Sequence, residues 1–287
     1  MPELPEVEVL ARYLRPLLTG MTIRGVFVGR PKSVRPTSVR TFKAALTGAT
    51  FKRLSRRGKY LLFNLHSNGR GSRATSLDLL GHLGMTGRMF VAPKNEPVPK
   101  HAAVVLDLGR QQFIYEDTRY FGRMSLDLTP IKKLGPEPLD EAGCREEFVK
   151  SLRLSRQAIK VKLLDQRLVA GVGNIYASEA LFRAGISPRR AANRLTCVQA
   201  VRLWRAICEV LAEAINGGST VPLNFGAGKS DGLYYFGRSP GSVDYYEERL
   251  RVYDRAGKPC VNCGSPIKRI VQGARSTFYC PRCQMSR

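Results

Sequence analysis

The chain lacks the features of a helical membrane protein. None of its apolar runs approaches the roughly 18 residues that a spanning helix requires, so no membrane partner is expected. It is short of acid: 23 Asp+Glu stand against 47 Lys+Arg, a formal charge of +24 on 287 residues. The excess is spread along the chain rather than gathered in one tail. A folded protein of this charge suits a polyanion, and nucleic acid is the leading partner. Low-complexity tracts and internal repeats are also missing. The N-terminus reads Met-Pro-Glu-Leu-Pro-Glu-Val-Glu. It has neither the positive start nor the apolar segment of a secretory signal. The expected place is the cytoplasm, in association with the nucleoid.

Cysteines are few and fall into two groups. Cys144, Cys197 and Cys208 are scattered and read as small core residues or free thiols. Cys260, Cys263, Cys280 and Cys283 form C-x2-C-x16-C-x2-C, the spacing of a four-cysteine zinc site. In a reducing compartment, disulfides are the poorer alternative. One Zn2+ is expected. Four thiolates leave no open position for activating water, so its role is structural.

The chain length suits two domains and a small appendage. Residues 5–18 carry Val7, Leu10, Ala11, Leu14, Leu17 and Leu18 on one helical face, and Gly20 ends the run. From Met21 to about Asp127 the period changes to two. MTIRGVFVG, ATFKRLS, GKYLLFNLH, TSLDLLGHL, MTGRMFV, AAVVLDL and QQFIYED read as strands of a sandwich or barrel. Three prolines and Gly135 within 130–140 mark a linker. Helical patterns follow at 141–151, 156–167, 174–184 and 196–216. The expected divisions are a β-rich domain with a leading helix at 1–130, a linker at 131–141, a helical domain at 142–247 and a zinc ribbon at 248–287. The fold class is α+β and multidomain, and a monomer is the default.

The first eight residues gain chemical meaning if Met1 is removed. Pro2 then carries a free secondary amine, with Glu3 beside it and Glu6 a turn further on. An α-amine has a reference pKa of about 8, well below lysine, so more of it is available as a nucleophile at neutral pH. Attack on a sugar C1′ would give a cationic iminium, an electron sink for breaking neighbouring bonds. A neighbouring carboxylate can move protons. The structural alternative is that Pro5 opens the helix while Glu3, Glu6 and Glu8 complement its dipole.

Six motifs stand in order across nearly the whole chain: PELPEVE at 2–8, RGKY at 57–60, HLGMTG at 82–87, DTRYFG at 117–122, LLDQRLVAGVGNIYASEALFRAGISP at 163–188, and STFYCPRCQ at 276–284. Together they resemble the formamidopyrimidine-DNA glycosylase (Fpg, MutM) family. The resemblance implies an N-terminal β-sandwich, a helix–two-turn–helix domain and a C-terminal zinc finger. It implies excision of oxidised purines (8-oxoguanine and formamidopyrimidines) from double-stranded DNA, then cleavage at the abasic sugar by β,δ-elimination. Pro2 matches the nucleophile and Glu3 the carboxylate that protonates the sugar ring oxygen, with Glu6 as a supporting acid. Lys59 matches a lysine near the lesion's phosphates and sugar. Met85, Arg119 and Phe121 match a trio that fills the gap left by the flipped base. Such wedges offset part of the cost of extrusion. Lys160, Asn174 and Arg275 match residues contacting DNA near the lesion. The amides of the GVGN turn and the following helix start are expected to bind a phosphate, with Asn174 as helix cap or further donor.

Two stretches depart from the family pattern. Tyr120 stands where a further basic residue is usual. After Gly217-Gly218-Ser219-Thr220 the chain continues Val221-Pro222-Leu223, and the loop 221–247, which in the family covers the flipped base, is longer and more aromatic. The sister family, endonuclease VIII, favours oxidised pyrimidines and begins Pro-Glu-Gly-Pro-Glu. Leu4 at the glycine position and the Met85/Arg119/Phe121 trio favour the oxidised-purine branch. A non-catalytic binder of damaged DNA would use the same charge, finger and wedges, but needs no Pro2-Glu3 pair.

Overall fold

The computed structural model describes residues 2–67, 75–140, 144–218 and 250–285, with Cys144 and Gly218 described by backbone alone. Residues 6–132 belong to one compact unit; residues 3–5, 133–218 and 250–285 belong to a second. Helix α1, Leu4–Leu18, begins in the second unit and continues in the first. Pro5 lies in its first turn, where a missing N–H costs nothing. Gly20, at φ +85°, ends it in the left-handed conformation that glycine adopts freely.

The first unit is built from two antiparallel four-stranded sheets. One has the order β1 (Gly25–Val28), β6 (Ala102–Asp107), β7 (Gln111–Glu116), β5 (Arg88–Pro93). The other runs β2 (Ala49–Arg57), β3 (Tyr60–Ser67), β4 (Thr75–His82), β8 (Arg123–Ser125). Alternation decides which face is buried: on β3, Leu61, Phe63 and Leu65 are buried and their neighbours are not. Phe63 meets Phe113 of the other sheet edge to face, with centroids 5.7 Å apart. The period-two reading of 21–127 misses helix α2, Val39–Leu46. Its signals are local. Ser38 caps it by accepting the Thr41 N–H at 3.1 Å, and Phe42 and Leu46 stand four residues apart on its buried face. A single helical turn, α3 (Thr129–Lys132), closes the unit.

The second unit holds α4 (Cys144–Arg153), α5 (Ile159–Lys162), α6 (Asn174–Arg183) and α7 (Cys197–Gly218). Leu4, Phe148, Leu163, Val172, Tyr176, Leu203 and Leu211 share its core. Thr196 and Gln199 cap α7 reciprocally: each side chain accepts the other's backbone N–H, at 3.2 and 3.0 Å. The helix expected over 156–167 is only the single turn α5. Asp165 accepts the Arg167 N–H at 3.0 Å, and the Gln166 amide bridges Val172 O and the Gly171 N–H at 2.8 and 2.9 Å. These side chains take over backbone pairing, so tight turns replace the predicted helix.

Strands β9 (Lys268–Gln272) and β10 (Arg275–Tyr279) form a hairpin around the two-residue turn Gly273-Ala274, at φ +55° and +58°. Positive φ at both positions matches the twist of the flanking strands. Buried Glu179 of α6 accepts the backbone N–H groups of Arg251, Val252 and Tyr253 at 2.8–2.9 Å. It ties the segment that leads into the hairpin to α6. No helix among the described residues is long and apolar enough to cross a membrane.

Candidate functional site

The second unit orients Glu3. Its carboxylate sits at the N-terminus of α6, accepting the N–H groups of Gly173 and Ile175 at 2.7 and 2.9 Å and that of Tyr176 at 3.4 Å. A helix start presents unpaired N–H groups and a positive dipole end, which suit an anion. The backbone closes in as well: the Leu4 N–H donates to Gly171 O at 3.1 Å. A Cβ on Gly173 would stand 2.5 Å from Glu3 Oε1, and one on Gly171 would stand 2.6 Å from Leu4 Cβ. Only glycine fits these positions, so GVGN is a cradle for residues 3–4. This corrects one expectation. The amides foreseen as a phosphate site are occupied by this protein's own carboxylate. Pro2, the residue preceding Glu3, is buried, as is Glu6.

Lys160 and Asn174 form one hydrogen-bonded pair. Lys160 is 1% exposed and donates from Nζ to Asn174 Oδ1 at 2.6 Å. Asn174 Nδ2 donates to Ser276 O on β10 at 2.9 Å. Gly173 is the helix cap and Asn174 the first helical residue, so Asn174 is not the cap. Burial pushes the Lys160 ammonium down to about 8, and the charge of Arg275 acts in the same direction while Glu3 opposes it. Arg275 itself is exposed at the start of β10, next to the turn. Lys160 is thus linked through Asn174 to the backbone of β10.

The first unit brings the HLGMTG and DTRYFG loops together. Their backbones touch: a Cβ on Gly84, which has φ +64°, would lie 2.5 Å from Gly122 N. Asp117, wholly buried, holds both loops. It accepts Thr86 Oγ1 at 2.7 Å, the Gly122 N–H at 2.8 Å and the Arg119 N–H at 3.1 Å. Met85 and Phe121 are left 41% and 57% exposed, which rules out core packing for them. The Arg119 guanidinium lies 5.0 Å from the Phe121 ring centre.

Lys59 is buried at the β2–β3 turn beside Gly58, which has φ +56°. His82 is the residue that sequence reasoning missed, although it opens HLGMTG. Burial, then the Lys59 charge, push its imidazole down to about 4, against a smaller opposing effect of Asp117. It is neutral at physiological pH. Its Nδ1 accepts the Gly84 N–H at 3.1 Å, so the proton resides on Nε2, which is a donor.

In the finger, the four Sγ atoms of Cys260, Cys263, Cys280 and Cys283 lie within 4.8 Å of one another. The Cys260–Cys283 and Cys263–Cys280 separations are 3.8 and 3.5 Å. A tetrahedral zinc thiolate site with Zn–S near 2.3 Å has S···S edges of about 3.8 Å, so the donor set fits one Zn2+. The Asn262 and Cys283 N–H groups point at the Cys260 and Cys280 sulfurs, at 3.5 and 3.4 Å. They complement thiolate charge.

Three family models cover these parts: the formamidopyrimidine-DNA glycosylase N-terminal domain at 1–124, the formamidopyrimidine-DNA glycosylase H2TH domain at 134–224, and the zinc finger found in FPG and IleRS at 257–284. The chain belongs to the formamidopyrimidine-DNA glycosylase family. It is 43% identical to the formamidopyrimidine-DNA glycosylase of Desulforamulus reducens, over all of both chains. It is 38% identical to that of Bacillus cereus, over 99% of each. Among solved structures it resembles Lactococcus lactis Fpg in complex with DNA containing N7-benzyl-Fapy-dG, with a TM-score of 0.84 and 34% identity over 99% of this chain and all of that one. A second Lactococcus lactis Fpg complex, with abasic-site DNA, matches with the same figures. The departing loop 221–247, assigned from sequence to base coverage, lies outside the described residues.

Proposed function

We propose that this chain is a bifunctional DNA glycosylase and abasic-site lyase acting in the cytoplasm on nucleoid DNA. Its substrate is duplex carrying oxidised purines, 8-oxoguanine or formamidopyrimidines. The observation that carries the reading is the Glu3 carboxylate, held by the amides of Gly173, Ile175 and Tyr176 at the start of α6 and immediately after Pro2 in the chain. A helix cap made from a distant segment has no structural need for an adjoining N-terminal proline.

With Met1 removed, the Pro2 nitrogen attacks C1′ of the flipped nucleotide. The C1′–N9 bond breaks and the base leaves, taking up a proton. Glu3 protonates the ring oxygen, opening the sugar to an iminium. Loss of a C2′ proton then expels the 3′ phosphate, and a second elimination expels the 5′ phosphate. Water releases the sugar fragment from Pro2. Lys59 and Arg275 hold the phosphates and sugar. Met85 and Phe121 fill the vacated stack, and Arg119 hydrogen-bonds the orphaned base. Lys160 and Asn174 hold α6 and β10 in register. Zinc, bound by the four thiolates, shapes the hairpin bearing Arg275. Glu6 supports the N-terminal turn.

Cleavage of a duplex with 8-oxoguanine opposite cytosine should leave a one-nucleotide gap with phosphate at both ends. Pro2→Gly should abolish most of that cleavage. A Pro2→Gly protein with full cleavage would overturn the reading.

A further inference from the structure

The residue between Arg119 and Phe121 has no part in the scheme above, yet it is the most constrained of the three. Tyr120 has φ +54°, a left-handed conformation that a residue with Cβ adopts only when its surroundings hold it there. Two side chains from other segments do so. The Arg30 guanidinium, just after β1, lies 3.9 Å from the Tyr120 ring centre. On the loop entering β6, His101 Nδ1 lies 3.0 Å from the Tyr120 hydroxyl, with the two rings edge to face. Arg119 and Phe121, by contrast, are both exposed and lie against each other, the guanidinium 5.0 Å from the ring centre.

From this geometry we infer that Tyr120 is a positioning residue, clamped between Arg30 and His101, that sets the aim of Arg119 and hence the preference for the base opposite the lesion. The Arg119 guanidinium and the Phe121 ring lie against each other, while the Tyr120 ring between them in the chain is engaged instead by Arg30 and His101. With the ring held, the backbone at 119 and 121 cannot pivot, and Arg119 approaches the orphaned base from one direction only. Preorganisation of this kind lowers the ordering cost of a contact and sharpens discrimination between partners. The inference rests on the proposed roles of Arg119 and Phe121.

The test is single-turnover excision by the full-length, zinc-loaded protein. The substrates are 8-oxoguanine opposite cytosine, 8-oxoguanine opposite adenine, and a plain abasic site. The readout is the cytosine-to-adenine rate ratio, which a change in the folded fraction does not move. Tyr120→Phe, which removes only the hydroxyl, should lower the ratio about fivefold, the worth of one neutral hydrogen bond. Tyr120→Gly should lower it further. Arg30→Met should also lower it, although Arg30 belongs to another segment. Abasic-site cleavage should stay within about twofold of wild type in all three. Arg119→Ala is the control for the underlying reading. If it collapses the ratio while the Tyr120 and Arg30 variants keep it, the clamp is refuted and the wedge stands. If Arg119→Ala also keeps the ratio, the wedge reading fails and the clamp fails with it. If Tyr120→Phe lowers the ratio but Arg30→Met does not, Arg30 does not hold the ring and the two-sided clamp is overturned.

Discussion

At the scale of single residues, two buried groups give predictions with a definite sign. His82 has a folded pKa of about 4 against an ordinary value of 6.5. Below pH 6.5 the unfolded chain takes up a proton that the folded protein refuses until about pH 4. Stability supplied by keeping this imidazole neutral is complete above pH 6.5 and falls as pH drops towards 4, by about 3 kcal/mol if the full shift is expressed. His82→Asn should flatten that part of the stability curve, measured by urea unfolding at pH 7 and pH 4.5. Glu3 gives a separation of activities. Glu3→Gln keeps a hydrogen-bond acceptor for the α6 amides but cannot protonate the sugar oxygen. Base excision should fall by at least about a hundredfold, and cleavage of a ready-made abasic site by much less, in gel assays on the two substrates. The four cysteines were legible in the sequence because their spacing alone points to a metal site. Pro2 and Glu3, by contrast, drew their expected roles from the family resemblance, since the N-terminal stretch by itself reads as an ordinary helix start. His82 was not legible, because one histidine in a strand acquires meaning only when its neutrality and its bond to Gly84 are visible.

The elements were legible to different degrees, and element length together with side-chain competition for backbone hydrogen bonds explains most of the difference. Strongly periodic helices such as α7, and alternating strands such as β3, followed directly from pattern. Helix α2 was hidden in a long β-rich stretch, where an eight-residue helix leaves too little periodicity to override its surroundings. The segment at 156–167 reads as helical, yet Asp165 and Gln166 bond to backbone groups at its end and turn the chain, and sequence alone does not say which hydrogen-bond pattern prevails. The GVGN motif suggested an anion site, and the anion proved to be Glu3. Gly173→Ala should therefore displace the carboxylate, lowering excision more than about tenfold while leaving zinc content unchanged. Gly84→Ala tests the other cradle. Its Cβ would meet the Gly122 backbone at 2.5 Å, which cannot yield as a flexible side chain could. It should lower Tm by several degrees and weaken discrimination between lesion and undamaged duplex.

At the scale of the whole molecule, charge and metal dominate. A chain of formal charge +24 binds DNA largely by releasing counterions, so log affinity should fall linearly with log salt, with a slope of about −0.9 per neutralised phosphate. Arg275→Ala should reduce that slope by about one unit while leaving lesion preference intact. Removing zinc should abolish DNA cleavage, because the hairpin core of Phe182, Val252, Ile267 and Phe278 is completed by Cys260 and Cys280. The central claim is that one particular nitrogen forms the covalent intermediate, and the most direct test is to map it. The protein is treated with borohydride on a duplex holding 8-oxoguanine opposite cytosine. The trapped adduct is then digested and sequenced by mass spectrometry. The account predicts the sugar fragment on the α-amine of a peptide beginning at Pro2. A trapped adduct on a lysine, Lys59 or Lys160 included, with an unmodified Pro2 peptide, would contradict it.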